Sequence, residues 1–569
     1  PEIHIEMEQI KMMDYLQLKK LNCKNCYKCI RHCPVKSIKF SGNQANIIND
    51  ECILCGTCFV VCPQNAKQIR NDVAKVREAM SGGKRVVASI APAFAANYEG
   101  VTIASMQDAL KRLGFYFAEE TAVGAQLVTS EYEKLIQEGG HSVIISSCCN
   151  TVNTLIQKYY PGAVKYLADV LSPMQAHCQK LKDEYPDCYT VFIGPCISKK
   201  EEADKYKGLV DTVLTFEELT EWLNEEGIEF RPMEDTVEKG LTRLYPTSGG
   251  ILRTMSRNSE RYSYLSVDGT DNCIAAIKDV IDGKISDCFI EMSACAGSCI
   301  GGPAMDKEHR QPVTDFVAVD KYAGKERFKT PEVDSAKLKK EFKGEILHRA
   351  MPSSRIIEEI LHKMGKTSPD QELNCGSCGY DTCREKAIAV YQNKADFTMC
   401  LPFLKEKAES FSDKIIRNTP NGIIVLNEEL EVQQINKSAC EIMNVKNPSD
   451  ILNSPVVRIL NPLEFITVMD TGRNIHDKKV YLAEYGKYVE ETIIYDPEYH
   501  IVMGILRDIT QEEKDKEKRG EICSNTIEIT DKVIEKQMRT VQEIASLLGE
   551  TVAETKVALT NLKESLSDE

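Results

Sequence analysis

A cysteine pattern that occurs twice near the amino terminus constrains the fold of this chain more than any other feature. Each copy has the form C-x2-C-x2-C-x3-C-P, and the eight cysteines are Cys23, Cys26, Cys29, Cys33, Cys52, Cys55, Cys58 and Cys62. Thiolates are soft, anionic ligands that suit iron–sulphur clusters. The pattern therefore predicts two metal clusters that organise a first domain over residues 1–75, with zinc or disulfides as the weaker alternative.

This spacing resembles that of two-cluster bacterial-type ferredoxins, in which the fourth cysteine of each run binds the other cluster. The resemblance implies that one [4Fe-4S] cluster is held by Cys23, Cys26, Cys29 and Cys62, and the other by Cys52, Cys55, Cys58 and Cys33. Such clusters transfer electrons, so the neighbouring domain is expected to be a redox enzyme or a redox partner.

Composition excludes several classes of function. The 569 residues carry 71 basic and 86 acidic side chains, a net charge of −15, which disfavours nucleic acid and anionic membranes as partners. The sequence shows no signal-peptide pattern and no apolar run of membrane-spanning length. We expect a cytoplasmic protein whose 23 cysteines bind metal rather than form disulfides.

Residues 84–350 alternate short Val/Ile-rich runs with helical stretches, which predicts an α/β domain. Three of these runs lead into cysteines: the first into Cys148 and Cys149, the second into Cys196, and the third into Cys295 and Cys299. Sites in open α/β sheets form beyond the carboxyl ends of the strands. We therefore expect these thiols to converge, although each alone would be read as a packing residue.

Three segments here resemble the signatures of the [FeFe]-hydrogenases: SSCC at 146–149, GPCISKKEE at 194–202 and EMSACAGSCIGG at 291–302. The resemblance covers roughly residues 1–350. It implies an H-cluster, in which a [4Fe-4S] cube is joined to a diiron unit with CO, cyanide and azadithiolate ligands. By the resemblance the cube ligands are Cys149, Cys196, Cys295 and Cys299, with Cys299 bridging to the diiron unit.

The same resemblance assigns roles to further residues. Cys148 corresponds to the proton donor, and Lys199 corresponds to the lysine beside a cyanide ligand, while Lys200 is expected to be solvated. Gly194 and Ser293 replace methionines of the family, so they are expected to lie at the cofactor and to alter its surroundings.

Other departures concern proton transfer. Asn150 replaces the family's proline, and two glutamate positions of the usual relay hold Tyr132 and Leu135. The usual relay is therefore expected to be broken. Glu291 and Glu202 are candidate acids for a different route, and Glu202 is alternatively a structural acid.

A third cysteine group has the spacing C-x2-C-x4-C-x16-C and comprises Cys375, Cys378, Cys383 and Cys400. It resembles small iron–sulphur modules of anaerobic redox proteins. We predict a helical domain over 351–408 that holds a third accessory [4Fe-4S] cluster, with zinc as the alternative. Apart from Cys148, the cysteines that remain are predicted to be packing or surface thiols: Cys178, Cys188, Cys273, Cys288, Cys440 and Cys523.

Residues 411–512 resemble a PAS sensory domain that ends in Asp508-Ile-Thr510, and a mixed five-stranded sheet is expected there. Residues 513–569 read as one long helix with two apolar columns at heptad spacing. The columns are Ile534, Val541, Leu548, Thr555 and Leu562, and Met538, Ala545, Val552, Leu559 and Leu566. They favour a coiled coil, as a homodimer or docked onto a partner helix. A helix packed on its own PAS domain and an inert appendage are the alternatives.

Two functions from different classes follow. In the first, a slow [FeFe]-hydrogenase of a sensory, PAS-containing branch detects H2 or redox state and signals to a kinase or phosphatase on another chain. In the second, a metabolic hydrogenase exchanges electrons with a ferredoxin-type partner and its appendages are structural. A remote third reading is an iron–sulphur assembly protein without the diiron unit.

Overall fold

The computed structural model describes residues 15–565, except 236–237, 258, 307–310, 331–332, 346 and 348. The predicted heptad residue Leu566 lies outside these described residues. The chain forms two compact units, Pro1–Leu404 and Lys405–Glu569. In the described part of the chain, every helix is too short or too polar to cross a membrane.

The amino-terminal region contains two small antiparallel strand pairs. Strand β1 (Leu16–Leu18) pairs with β4 (Lys67–Ile69), and β2 (Ile38–Ser41) pairs with β3 (Gln44–Ile47). Two short helices, Lys28–Arg31 and Thr57–Val60, occupy matching positions in the two cysteine runs. The residues that precede these helices, Tyr27 and Gly56, both have positive φ, so each run makes the same tight turn.

The next region contains two parallel sheets rather than one. The four-stranded sheet has the order β6-β5-β8-β9, formed by β5 (Val86–Ile90), β6 (Phe117–Glu120), β8 (Tyr189–Gly194) and β9 (Thr212–Thr215). The three-stranded sheet has the order β10-β11-β7, formed by β7 (Val143–Ile145), β10 (Ser263–Asp268) and β11 (Cys288–Ser293). The predicted strands exist, but the sequence did not show that they divide between two sheets.

Helices connect and cover these strands, as parallel sheets require. Their bounds are Val73–Ser81, Phe94–Asn97, Ile103–Leu113, Ala122–Glu138, Asn150–Tyr159, Pro173–Glu184, Ser198–Lys205, Phe216–Glu225, Gly250–Thr254, Thr270–Ile281 and Pro312–Tyr322. Strand β5 is buried along its whole length, and its sequence is accordingly apolar except for a single serine.

The third cysteine group lies among the helices Ser354–Lys363, Cys383–Tyr391 and Leu401–Asn418. The predicted helix after Cys383 is confirmed. Helix Leu401–Asn418 begins directly after Cys400 and runs without interruption through 408–411, where the sequence suggested a domain boundary.

The second unit holds a five-stranded sheet in the order β13-β12-β16-β15-β14, followed by one long helix, Thr510–Ser565. Its strands are β12 (Gly422–Asn427), β13 (Val432–Ile435), β14 (Ile475–Leu482), β15 (Lys487–Asp496) and β16 (Ile501–Asp508), with helices Lys437–Ile442 and Leu463–Thr471. All pairings are antiparallel, so the expectation of a mixed sheet was wrong. Alternate residues of β12 and β16 are buried because one face packs on the core.

Candidate active site

A cavity of about 110 Å³ is lined by residues that follow strands of both parallel sheets. Cys148, Cys149, Cys196, Cys299 and Lys199 all line it, as does Ser293. The predicted convergence of residues that are distant in sequence therefore occurs. The rest of the wall is mostly apolar and includes Phe192, Met174 and several prolines and alanines.

The four cysteines predicted to hold the cube fit a metal cluster. Cys295 does not line the cavity, but the thiols of Cys196, Cys149 and Cys299 lie close enough to add to the effect of burial in raising its pKa. Burial raises the pKa of Cys196 to about 11 and that of Cys299 to about 12. Thiols whose pKa is raised in this way suit bound iron, whose positive charge stabilises thiolates.

Phe192 explains the glycine at position 194. A Cβ on Gly194 would lie 2.8 Å from two carbons of the Phe192 ring and 3.0 Å from the Cβ of Ala91. The phenyl ring therefore occupies space beside the cavity that a side chain at position 194 would need. Ser293 Oγ lies 2.9 Å from Ser298 Oγ, so the second replaced position makes a local hydrogen bond.

Asn150 connects the first two signature segments. Its Nδ2 atom donates to Ser198 Oγ at 2.8 Å and to Glu201 Oε2 at 2.5 Å. A proline at this position could not make either bond. The departure from the family pattern therefore adds polar cross-links at the cavity wall, which Asn150 lines.

Lys199 is held in a buried row of charges. Its Nζ atom donates to the carbonyl oxygen of Cys148 at 3.0 Å and to Glu202 Oε2 at 2.5 Å, while Lys340 Nζ donates to Glu202 Oε1 at 2.6 Å. Burial alone would raise the pKa of Glu202, but the two ammonium groups lower it overall. This geometry favours Glu202 as a structural carboxylate. Lys340 was missed because no local pattern marks it.

Glu291 is buried on β11 and does not line the cavity. It accepts a hydrogen bond from the backbone N–H of Leu252 at 3.1 Å. Burial raises its pKa to about 7, against the lowering effect of backbone N–H groups of residues 249–252. It is an acid that can change protonation near neutral pH.

Tyr132 and Leu135, the two positions at which the usual relay is expected to be broken, lie on the helix Ala122–Glu138. The Tyr132 hydroxyl lies 3.2 Å from Cys148 Sγ and accepts from the backbone N–H of Ser147 at 2.9 Å. Burial raises the pKa of Tyr132 well above its usual value, so it stays neutral. Leu135, one turn further along the helix, adds apolar packing. Tyr132 can orient the Cys148 thiol, but the route beyond it lacks an acid at position 135.

The expectation that Lys200 is solvated was wrong. Its side chain is fully buried, and its Nζ atom lies 2.9 Å from both Asp72 Oδ2 and Glu218 Oε1. It also donates to the carbonyl oxygen of Val213 at 2.8 Å. Adjacent lysines on the helix thus point to two different carboxylate partners, Lys199 towards the cavity wall and Lys200 towards the sheet.

The ferredoxin-like cysteines group as the resemblance implies. The pKa of Cys29, raised to about 11 mainly by burial, is also affected by Cys23, Cys26 and Cys62. Burial raises the pKa of Cys58 well above its usual value, and Cys55, Cys52 and Cys33 raise it further. Backbone N–H groups point at sulphur atoms: Ser37 N to Cys33, Leu54 N to Cys52 and Ala66 N to Cys62, each at 3.3 Å. Such bonds are typical of cluster ligands and tune cluster potentials.

The second ferredoxin-like cysteine run lies directly beside the active site. A Cβ on Gly56 would lie 2.3 Å from the Cβ of Pro303 and 3.0 Å from Ile197 Cδ1, so only glycine permits this approach. Cys55 is close enough to Cys295 to affect its pKa. The two cysteine groups are therefore neighbours, an arrangement suited to electron transfer.

Cys375, Cys378, Cys383 and Cys400 line one small cavity. Their module packs on the helix Lys28–Arg31: Arg31 donates to the carbonyl oxygens of Gly376 and Ser377, at 3.2 and 3.3 Å. In the part of the chain that is described, no three His, Cys, Asp or Glu side chains are arranged to hold a single metal ion. All 23 cysteines are free thiols, and the cysteines predicted to be packing residues are buried, whereas Cys523 is exposed.

Family profiles match three segments. Residues 84–303 match "Iron only hydrogenase large subunit, C-terminal domain", residues 15–63 match a 4Fe-4S dicluster domain, and residues 371–402 match an Fe-S cluster family. These matches confirm the predicted iron–sulphur and H-cluster cofactors at the level of the domains that carry them.

Similar curated proteins include hydrogenases. The chain is 24% identical over 367 residues to iron hydrogenase 1 of Clostridium pasteurianum, covering 50% of this chain and 64% of that protein. It is 25% identical over 361 residues to the periplasmic [Fe] hydrogenase large subunit of Nitratidesulfovibrio vulgaris, covering 51% and 86%. The cytosolic Fe-S cluster assembly factor NAR1 of Eremothecium gossypii is 31% identical over 156 residues, covering 25% of this chain and 35% of that protein.

Among solved structures, a variant of [FeFe]-hydrogenase HydA1 from Chlamydomonas reinhardtii aligns at 20% identity with a TM-score of 0.36. The alignment covers 44% of this chain and 90% of that chain.

Proposed function

Because residues 84–303 belong to the family of the iron-only hydrogenase large subunit, we propose that this protein interconverts H2 with two protons and two electrons. Cys149, Cys196, Cys295 and Cys299 would hold the cube, and Cys299 would also hold the diiron unit. When bound, that unit supplies the metal centre at which H2 is formed or split. The convergence of these thiols with Cys148 and Lys199 on one cavity carries the proposal.

The chain's own groups have separate tasks in this proposal. The Cys148 thiol holds a proton at the cavity wall, where the Tyr132 hydroxyl orients it. Lys199 places a positive charge beside the cavity and complements anionic cyanide ligands. The apolar wall excludes bulk water, which strengthens both interactions.

We further propose that turnover is slow and that the protein senses H2 or redox state. Gly194 and Ser293 in place of thioethers, together with Tyr132 and Leu135 in the relay, support slow proton and electron chemistry. The five-stranded unit that ends in Asp508-Ile-Thr510 and the helix Thr510–Ser565 support a PAS domain with a signalling coil. The expected recipient is a kinase or phosphatase on another chain.

Infrared spectroscopy of anaerobically matured protein, recorded under argon and then under H2, tests the chemistry. Bands of CO and cyanide that shift on adding H2, and that lose this response in Cys148→Ala, would support the proposed site. Cys178→Ala, which removes a buried thiol away from the cavity, is the matched control and should respond like the wild type. Turnover comparable to that of metabolic hydrogenases would contradict the sensory part and favour a ferredoxin-linked enzyme.

The likeness to NAR1 favours iron–sulphur assembly as a second candidate. In that case the three accessory clusters and the active-site cube would be present without the diiron unit. Protein with its full iron–sulphur content but without CO and cyanide bands would support this candidate and contradict the first.

A further inference from the structure

A row of hydrogen-bonded side chains leads away from the cavity. Thr121, which lines the cavity, places Oγ1 2.7 Å from Ser89 Oγ. Ser89 Oγ lies 2.8 Å from His177 Nδ1, and His177 Nε2 lies 2.8 Å from Glu119 Oε2. The first three side chains are buried, whereas the Glu119 side chain is 27% exposed. The chain therefore joins the cavity to solvent.

Three different elements supply these groups. Ser89 is on β5, Glu119 is on β6 with Thr121 directly after its end, and His177 is on the helix Pro173–Glu184. Ser89 is the polar residue of a strand whose other members are Val86, Val87, Ala88 and Ile90. A buried hydroxyl in this strand requires hydrogen-bond partners, and His177 and Thr121 supply them.

The proton positions follow from the charge at the outer end. Burial alone would raise the pKa of Glu119, but His177 and Lys180 lower it to about 2, so the group is a carboxylate. A carboxylate accepts a hydrogen bond from His177 Nε2–H, and with the proton on Nε2 the Nδ1 atom accepts from the Ser89 hydroxyl. Ser89 Oγ in turn accepts from the Thr121 hydroxyl. Every donor then points outward from the cavity.

We propose that Thr121, Ser89, His177 and Glu119 conduct protons between the cavity and solvent, an inference that rests on the proposed hydrogenase function. A proton that reaches Thr121 Oγ1 displaces the Thr121 hydroxyl proton to Ser89 Oγ. The Ser89 proton passes to His177 Nδ1, and the Nε2 proton passes to the Glu119 carboxylate, which releases it to water. One proton enters, one leaves and no electron moves. The reverse sequence delivers protons for H2 formation.

Two other roles for this row fit less well. A Ser–His–Glu row is also the arrangement of a hydrolase nucleophile. Ser89, however, is fully buried and does not line the cavity, so no substrate carbonyl can reach it. A packing role alone does not explain why the row runs without a gap from the cavity to the surface. It also does not explain why such a row is present in a chain whose usual relay positions hold Tyr132 and Leu135.

The test uses Ser89→Ala and Thr121→Val in the matured holoprotein, with Ser105→Ala and Thr190→Val as buried controls that do not line the cavity. H2/D2O exchange should fall at least about tenfold in the first two variants, a size typical of a lost proton-transfer group. The controls should exchange like the wild type. Ser89→Thr, which keeps a hydroxyl, should restore much of the rate. The CO and cyanide bands should persist in every variant, since no predicted ligand changes.

A second readout does not depend on rate. Infrared difference spectra on adding H2 should contain a carboxylate band, shifted because proton transfer along the row changes the hydrogen bond from His177, and this band should disappear in Glu119→Gln. Unchanged exchange in Ser89→Ala and Thr121→Val, or a band that survives in Glu119→Gln, would overturn the conduit while leaving the hydrogenase proposal intact. Wild-type protein that contains its cubes but lacks CO and cyanide bands would overturn both.

Discussion

Glu202 is enclosed between the ammonium groups of Lys199 and Lys340, at 2.5 and 2.6 Å. Three buried charges in a row are tolerated only because each positive group has the carboxylate as its partner. The carboxylate therefore fixes the position of Lys199 at the cavity wall. Removing it leaves two buried positive charges close together.

We expect Glu202→Gln to lower the free energy of unfolding by about 3–5 kcal/mol, the usual cost of removing one partner of a buried ion pair. The double variant Glu202→Gln with Lys340→Met should recover part of this loss, because it removes one of the two unpaired charges. Thermal and denaturant unfolding of the matured protein measure the effect. Lys337→Met, at an exposed ion pair with Asp183, is the control and should cost less than about 1 kcal/mol. Equal losses in the single and double variants would contradict this account.

The close packing of the Phe192 ring against Gly194 leads to a second prediction. Gly194→Met restores the family residue but forces a side chain against the Phe192 ring, so overpacking should cost about 1–3 kcal/mol. Phe192→Ala combined with Gly194→Met should be more stable than Gly194→Met alone, because the truncated ring makes room. Gly140→Met, at a glycine with open space around its Cβ position, is the control. The idea fails if Gly194→Met is as stable as the wild type.

At the scale of elements, the sequence predicted the cysteine modules but not how the strands pair. The cysteine runs predicted their modules because ligand spacing is set by short turns, such as those at Tyr27 and Gly56. The division of the strands into two sheets was not predictable, since β7 pairs with β11 across more than a hundred residues of sequence. Lys340 and His177 were missed for the same reason, as their partners Glu202 and Ser89 are 138 and 88 residues away.

Strand β15 contains a buried acid that makes the second unit sensitive to pH. Burial, together with the neighbouring Glu464, raises the pKa of Glu491 from 4.5 to about 7, while Lys478 partly opposes the shift. The folded state thus binds the proton more tightly than the unfolded state. This contribution favours folding below pH 4.5 and is lost as the pH rises through about 7.

Glu491→Gln should therefore stabilise the sheet at pH 8, by up to about 2–3 kcal/mol, and should have little effect at pH 5. Hydrogen exchange of β15 and β16 amides, with variant and wild type compared at the same pH, measures this. Glu490→Gln changes the preceding residue of the strand, whose side chain is more exposed, and is the control. It should show no pH-dependent gain in stability. A stabilisation of equal size at both pH values would rule out titration as the cause.

At the scale of the whole molecule, the helix Thr510–Ser565 leaves an apolar stripe uncovered by its own chain. Val541, Leu548, Val552 and Leu559 are each about 60% exposed. They belong to the two heptad columns of the sequence, whose period matches a coiled-coil seam. The sequence predicted the long helix, because a repeating pattern of this length depends on no distant contact.

We expect the full-length protein to be a homodimer that Leu548→Asp or Val541→Asp converts to a monomer, because each places a charge in the seam of both helices. Analytical ultracentrifugation across a concentration series measures the mass. Lys536→Asp, which places the same residue on an exposed position outside both columns, is the control and should remain dimeric. A monomeric wild type at high concentration would indicate that another chain covers the stripe. Seam variants that remain dimeric would place the dimer contact elsewhere and would leave the helix free to bind the proposed signalling partner.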